Sequence, residues 1–257
     1  MVMPRSERLR GPQSALLRAA LYYARKRRLR RLQGGSSGPA TYSQNRYQDL
    51  VGSNIQKTGY TVSSRYFEFS FWFKRSASGS SMRIFSELND TQVLINSSGT
   101  ITIEVHSSGN LRIFDATTTD ATSEGVDYHL YFQYDAQTQT YDFRLDGVSL
   151  TPGSGLNVSV NSGGDCALNS TLNLFSLTNG TQPFIGDFGD LWVHCTDNPQ
   201  GYSSFADESG QPKDLSSLPT PDIWLGGDLT AADINSGDNL GLVPTPLDVV
   251  AGNFTDL

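Results

Sequence analysis

Paired carboxylates on one strand would give this sequence hydrolytic chemistry on glycans, because retaining hydrolysis needs two carboxyl groups about 5–5.5 Å apart. A Glu-x-Asp-x-x-Glu spacing would supply such a pair, and the sequence contains none. The glutamates of the middle of the chain stand singly, at Glu68, Glu87, Glu104 and Glu124. The spacing therefore argues against a glycan-processing enzyme, and we keep that function only as an enzymatic alternative to a binding role.

Nucleophilic and metal-assisted chemistry are no better supported. The string Gly34-Gly35-Ser36-Ser37-Gly38 matches the G-x-S-x-G turn of serine hydrolases, but it lacks the strand that must precede that turn. The three histidines, His106, His129 and His194, are scattered over β-like segments without the spacing of metal ligands. We predict that each is a structural or surface histidine, and that the chain has no catalytic residues.

The elements that would position functional groups differ sharply in charge. Residues 1–33 hold ten of the 19 basic residues and a single acidic residue, Glu7, so their net charge is +9. Residues 34–257 hold nine basic and 25 acidic residues, which gives −16. This asymmetry is typical of a basic arm attached to an acidic body.

Apolar spacing in the arm predicts an amphipathic helix over residues 14–32, ended by Gly34-Gly35. Such an arm could neutralise a phosphate backbone, lie on an anionic membrane, or dock in a groove of an acidic protein. We favour docking to a protein, with nucleic-acid contact the weaker alternative. The docking residues would be the apolar face and the basic run: Leu17, Leu21, Tyr23, Arg25, Lys26, Arg27, Arg28, Arg30 and Arg31.

The arm is followed by a flexible linker and lead-in at 34–59, and then by a β-rich body. Phe67, Phe69, Phe71 and Phe73 alternate with other residues, which predicts a strand whose phenylalanines face the core. Similar alternation, broken by turns every 8–12 residues, predicts two packed antiparallel sheets or a barrel. No apolar run approaches the length of a membrane-spanning helix.

Several β segments, in order, resemble a laminin G-like, concanavalin A-type jelly roll. The resemblance rests on 69–74, 84–86, 101–105, the hairpin 128–135 with 140–148, and the closing strand 183–193. Tyr128 departs from the family, which usually has Trp there. The resemblance implies an all-β jelly-roll sandwich of two antiparallel sheets over 60–197, carrying the N-terminal basic helical arm.

Residues 198–257 hold six of the eleven prolines and have little period-2 signal. The segments 205–215 and 221–225 resemble tails that follow this jelly roll in bacteriophage virion proteins. The resemblance implies a virion structural protein with a C-terminal extension packed on the jelly roll, anchored by its arm to tail, portal-proximal or capsid components. The preferred role is a tail fibre, spike or adhesin that contacts a host polysaccharide or protein, and the alternative is a head decoration protein.

That assignment also implies a homo-oligomer exposed on the particle surface and assembled in the bacterial cytoplasm. Laminin G-like domains often bind calcium through loop carboxylates, so Asp165, Asp187 and Asp190 are calcium candidates, although solvated turn residues are the ordinary reading. No other cofactor is expected. Cys166 and Cys195 are too few for a disulfide framework, and we expect two separate buried thiols, with pairing left open.

Overall fold

The computed structural model describes residues 45–51, 55–76, 79–87, 91–175, 181–208, 210–215, 217–225, 243–244 and 250–253. The predicted anchor arm lies outside the described residues, with its docking residues Leu17, Leu21, Tyr23, Arg25, Lys26, Arg27, Arg28, Arg30 and Arg31. The described part of the chain contains no helix of the length and apolarity that a membrane crossing requires.

Seventeen strands form in the described residues, and the only helical turn among them is a 3₁₀ turn at Tyr202–Ser204. In chain order the strands are β1 (Asn45–Val51), β2 (Ile55–Ser64), β3 (Tyr66–Arg75), β4 (Met82–Glu87), β5 (Gln92–Ile95), β6 (Ile101–His106), β7 (Arg112–Thr118), β8 (Asp127–Asp135), β9 (Thr140–Leu145), β10 (Val148–Ser149), β11 (Thr151–Pro152), β12 (Gly155–Val160), β13 (Cys166–Leu174), β14 (Ile185–Thr196), β15 (Ile223–Leu225), β16 (Val243–Pro244) and β17 (Val250–Asn253).

The strands form two sheets. Sheet A has the order β10-β9-β8-β3-β14-β1-β17, and β15 also pairs with β14. Sheet B has the order β11-β12-β7-β6-β5-β4-β13-β2-β16. Every pairing among the described residues is antiparallel except β11 with β12, which is parallel. The two antiparallel sheets predicted from the alternation are therefore present as a sandwich.

The core lies between the sheets and is rich in aromatic rings. Phe67, Phe69, Phe71 and Phe73 of β3 are fully buried, as their alternation predicts. The rings of Phe71 and Phe73 stack with centroids 5.5 Å apart. Sheet B contributes aliphatic side chains from the matching positions of its strands, as in β6, where the buried residues are Ile101, Ile103 and Val105. The inner faces thus follow the period of two that a pleated strand imposes.

The hairpin of β8 and β9 positions the middle of sheet A. The hairpin that the sequence predicts is present, with Leu130 paired to Leu145, and its strands extend into the predicted loop as far as the pair Asp135 and Thr140. The next turn uses Asp146 and Gly147, which have φ of 52° and 75° and so fit the left-handed positions of a tight hairpin turn. A Cβ at Gly147 would lie 2.6 Å from the Tyr202 hydroxyl, so glycine also allows a later segment of the chain to approach closely.

Candidate functional site

The outer face of sheet A is covered by the chain itself, and we call it the covered face. It consists of Glu68, Ser70 and Trp72 of β3, His129 and Tyr131 of β8, and Trp192 of β14, all of which are buried. The described residues of 197–225, which we call the covering segment, pack on it. The resulting second hydrophobic cluster joins Tyr131 and Trp192 to Phe205 and Leu215, with Tyr202, Leu218 and Trp224 at its margin.

A buried carboxylate fastens the covering segment to the sheet. Glu68 accepts the backbone N–H of Gln200 at 3.1 Å from each carboxylate oxygen, and Oε1 accepts the N–H of Gly201 at 2.9 Å. The Tyr131 hydroxyl donates to the same oxygen at 3.1 Å. Burial raises the pKa of Glu68 above its ordinary value, and these hydrogen bonds act in the opposite direction.

Ser70 and His129 form a serine–histidine contact that spacing along the chain did not reveal. Ser70 Oγ lies 2.9 Å from His129 Nε2, and the imidazole stacks on Trp72 with ring centroids 3.9 Å apart. Burial lowers the pKa of His129 to about 3. Both residues are buried from solvent. A catalytic triad requires a hydrogen-bond acceptor at Nδ1 to orient the ring, and His129 Nδ1 has no hydrogen-bond partner. The contact is therefore structural, as predicted for this histidine.

The outer face of sheet B has a different character, and we call it the polar face. Its side chains form two rows across the strands, as the register pairs them. The first row runs Asn173, Ser86, Gln92, Glu104, Asp115, Ser159, and the second runs Arg83, Leu94, Thr102, Thr117, Asn157. Six strands at about 4.8 Å spacing make the first row roughly 24 Å long. The described residues show no second hydrophobic cluster over this face comparable to the one on sheet A.

Hydrogen bonds link neighbouring side chains within each row, and ion pairs join Arg112 to the first row. Gln92 Nε2 donates to Glu104 Oε2 at 2.7 Å, and the hydroxyls of Thr102 and Thr117 are 2.8 Å apart. Arg112 Nη1 lies 3.7 Å from Glu104 Oε1 and 3.2 Å from Asp115 Oδ2. The polar face therefore holds its side chains in fixed positions while leaving several donors and acceptors half-exposed.

Glu104 and Asp115 lie directly opposite each other on β6 and β7, although they are eleven positions apart in sequence. The neighbouring His106, Gln92 and Arg112 lower the pKa of Glu104. Partial burial raises the pKa of Asp115, and the charge of Glu104 adds to that rise. Because Arg112 touches both carboxylates and favours their ionised forms, it opposes the protonated acid that glycoside hydrolysis needs. The arrangement suits binding of polar groups better than acid–base catalysis.

The calcium candidates do not come together. Asp187 lies 3.6 Å from Lys74 at one end of β3, and Asp190 accepts the Trp224 indole N–H at 3.5 Å. Asp165 precedes Cys166 near the other end of β3, about 23 Å away at the rise of a strand. Asp187 and Asp190 lie within β14 and are buried, and not in the loops that the sequence predicts for them. The structure therefore does not bring the three carboxylates together. The described residues contain no group of three or more His, Cys, Asp or Glu placed to hold a metal ion.

Both cysteines are buried and free, so the prediction of two separate thiols is confirmed. Cys195 Sγ donates to the carbonyl oxygen of Cys166 at 3.2 Å. Burial raises the pKa of both thiols, which keeps them protonated and unreactive.

The sequence matches no family model and no curated protein. Solved structures resemble the fold. A protein from Bacteroides ovatus ATCC 8483 named as a candidate carbohydrate-binding protein gives a TM-score of 0.50 at 10% identity, covering 83% of this chain and 61% of that protein. The heptameric pentraxin of Limulus polyphemus gives 0.44 at 13% identity, covering 80% and 96%, and domains LG4-5 of the mouse laminin α1 chain give 0.42 at 16%, covering 63% and 44%.

At such low identity the likeness concerns the fold alone, and the chain spans 61% of the length of the Bacteroides ovatus protein. The described body is an all-β sandwich of two antiparallel sheets, and its fold is similar to that of the Bacteroides ovatus protein. The all-β sandwich of two antiparallel sheets that the sequence predicts is therefore confirmed for the described body, and the laminin G-like assignment stays a resemblance.

Proposed function

We propose that this protein is a non-enzymatic carbohydrate-binding module whose ligand lies on the polar face of sheet B. One observation carries the proposal: two adjacent rows, polar at every position except Leu94, place amide, hydroxyl, carboxylate and guanidinium groups across neighbouring strands. Sugar hydroxyls both donate and accept hydrogen bonds, so a surface that alternates donors with acceptors matches them. Asn173 and Ser86 are buried, so the accessible part of the first row runs over four strands from Gln92 to Ser159. At about 4.8 Å between strands it is roughly 14 Å long, which leaves room for more than one sugar ring.

The choice of face follows from what each face has already buried. On the covered face, Tyr131 and Trp192 are fully buried under the covering segment, so a ligand would have to displace that segment. On the polar face, Gln92, Thr102 and Asp115 keep part of their surface open, and Arg112 is about half exposed. The fold likeness to the Bacteroides ovatus protein supports the same class of ligand by analogy only.

The test is a glycan array probed with the full chain, followed by calorimetry on each positive glycan. Gln92→Ala removes a donor from the centre of the first row, and Thr117→Ala removes a hydroxyl from the second. We expect each to weaken binding roughly 3- to 10-fold, the effect of losing one neutral hydrogen bond. Gln137→Ala is the matched control, because Gln137 is exposed in the turn after β8. Absence of binding to every glycan, or equal loss in Gln137→Ala, would contradict the proposal.

We further propose that the module is displayed on a bacteriophage particle, as the pattern of 205–225 suggests, with the arm at 1–33 docked to another virion protein. The tail position remains preferred over head decoration. Deleting 1–33 should abolish incorporation into particles while the remaining body keeps its β circular dichroism. Normal incorporation of the shortened protein would contradict the anchor role. The copy number per particle distinguishes tail from head.

A further inference from the structure

Arg83 occupies one end of the second row on the polar face and is held by a single neighbour. Its Nε–H donates to the side-chain oxygen of Gln182 at 2.8 Å, and its backbone N–H donates to the Gln182 carbonyl at 2.9 Å. Gln182 therefore holds Arg83 at both its backbone N–H and its guanidinium Nε–H. The guanidinium is therefore positioned before any ligand arrives.

The neighbour that holds Arg83 has an uncommon backbone. Gln182 has φ of 53°, in the left-handed region that a residue with a Cβ rarely adopts. The surrounding loop is fastened to β4: Phe175 donates its N–H to Ile84 at 3.0 Å, and Phe184 donates to Phe175 at 2.7 Å. Backbone strain of this kind persists only where the surroundings enforce it, and it is concentrated at functional sites.

The terminal amino groups of Arg83 face no carboxylate within ion-pair distance in the part of the chain that the structure describes. Three other arginines, unlike Arg83, form ion pairs: Arg65 with Asp135, Arg112 with Glu104 and Asp115, and Arg144 with Asp142. Arg83 is half-buried, and partial burial lowers the pKa of its guanidinium, although the group stays charged at neutral pH. The charge of Glu104 acts in the opposite direction from beyond ion-pair distance. A carboxylate bound against the guanidinium would therefore supply the close counter-charge that the described residues do not.

We propose that Arg83 binds the carboxylate of an acidic sugar, an inference that rests on the proposed function of the polar face. The planar guanidinium offers two parallel N–H donors that match a carboxylate. The sugar ring would lie along the row towards Leu94 and Thr102, which follow Arg83 across the strands. Repulsion from Glu104 is reduced because that carboxylate already accepts Gln92 and lies beside Arg112.

The experiment uses the full chain and matched pairs of probes. Oligogalacturonate, oligoglucuronate and oligomannuronate are each titrated beside their own methyl esters, which differ only in the charged carboxylate. We expect at least one acid to bind roughly 10- to 100-fold more tightly than its ester, the range for a hydrogen bond to a charged group. Arg83→Gln should remove that preference, and Arg83→Lys should restore only part of it.

Arg144→Gln is the control, because it removes the same charge from sheet A, and circular dichroism and thermal melting confirm that each variant folds. Equal binding of acid and ester, or an unchanged preference in Arg83→Gln, would overturn the inference while leaving glycan binding intact. Binding of neutral array glycans only would do the same. Failure of every glycan, neutral or acidic, would remove the proposed function as well.

Discussion

The two outer faces of the sandwich follow the same alternation of side chains, but one face is buried and the other stays partly exposed. On β3, the outward positions carry Glu68, Ser70 and Trp72, and the covering segment buries them. On β6, the outward positions carry Thr102, Glu104 and His106, which stay partly exposed. The covered face contributes to stability through burial of large rings, whereas the polar face contributes little burial and keeps its polar groups in order. The face that folding needs least is thus the one for which we propose ligand binding.

The largest expected effect lies on the covered face. Trp192→Ala should lower the free energy of unfolding by about 3–5 kcal/mol, because it removes a fully buried ring from beneath Phe205. Urea denaturation followed by circular dichroism measures the change. Thr117→Ala on the polar face is the comparison and should cost less than about 1 kcal/mol. Similar losses in both variants would erase the distinction between the faces.

A second substitution sharpens the role of the carboxylate beneath the covering segment. Glu68→Ala leaves the N–H groups of Gln200 and Gly201 without their acceptor, which should cost about 1–3 kcal/mol. Amide hydrogen exchange should show faster exchange at those two residues while the β8–β9 hairpin keeps its protection. Glu124→Ala, at an exposed position, is the control. Unchanged exchange at Gln200 and Gly201 would mean that the segment is held by its apolar contacts alone.

Unfolding measurements in acid should distinguish two buried carboxylates whose pKa values are shifted in opposite directions. The hydrogen bonds from Arg65 hold the pKa of Asp135 below its ordinary value, so its contribution to stability is present above about pH 4 and is lost as the pH falls further. Burial raises the pKa of Glu68, so its contribution to stability grows as the pH falls through that raised pKa towards the ordinary value of a glutamate. In unfolding measurements from pH 7 to 2, Asp135→Asn should flatten the loss of stability in acid, and Glu68→Gln should remove the opposing gain. The same pH profile in both variants would contradict these signs.

The smallest effect on stability belongs to the polar face. Arg112→Gln removes the cation shared by Glu104 and Asp115 and leaves two like charges opposite each other, at a cost of about 0.2–1 kcal/mol. Thermal melting at low and high salt measures it, because screening should reduce the loss. Glu104→Gln in the same background should restore stability. A loss of several kcal/mol, insensitive to salt, would show that the polar face is part of the folding core.

Local pattern was enough to predict which side chains face the core, because the pleat of a strand has a period of two and needs no partner. Phe69, Phe71 and Phe73 follow from it directly. The meeting of Glu104 with Asp115 could not be predicted in this way. It depends on the length of the turn between β6 and β7 and on a register shift between Val105 and His106.

The burial of the covered face and the position of Arg83 could not be predicted from the sequence, for related reasons. The covering segment has no period, so nothing in its pattern identifies Glu68 as the acceptor for Gln200. Arg83 reaches the polar face through an irregular register between β4 and β5, and its orientation depends on a distant residue, Gln182. Contacts between residues far apart in sequence follow from the completed fold and not from local spacing.

Amide chemical shifts, measured as a glycan binds, test directly whether the polar face is the binding surface. The full chain, labelled with ¹⁵N, is titrated with a glycan that is positive on the array. We expect shift changes concentrated on β5, β6 and β7, with β3, β8 and β14 unaffected and the amides of Gln200 and Gly201 still protected. Changes concentrated on β3, β8 and β14, with loss of protection at Gln200 and Gly201, would show that the ligand displaces the covering segment and would contradict the claim that the polar face is the binding surface.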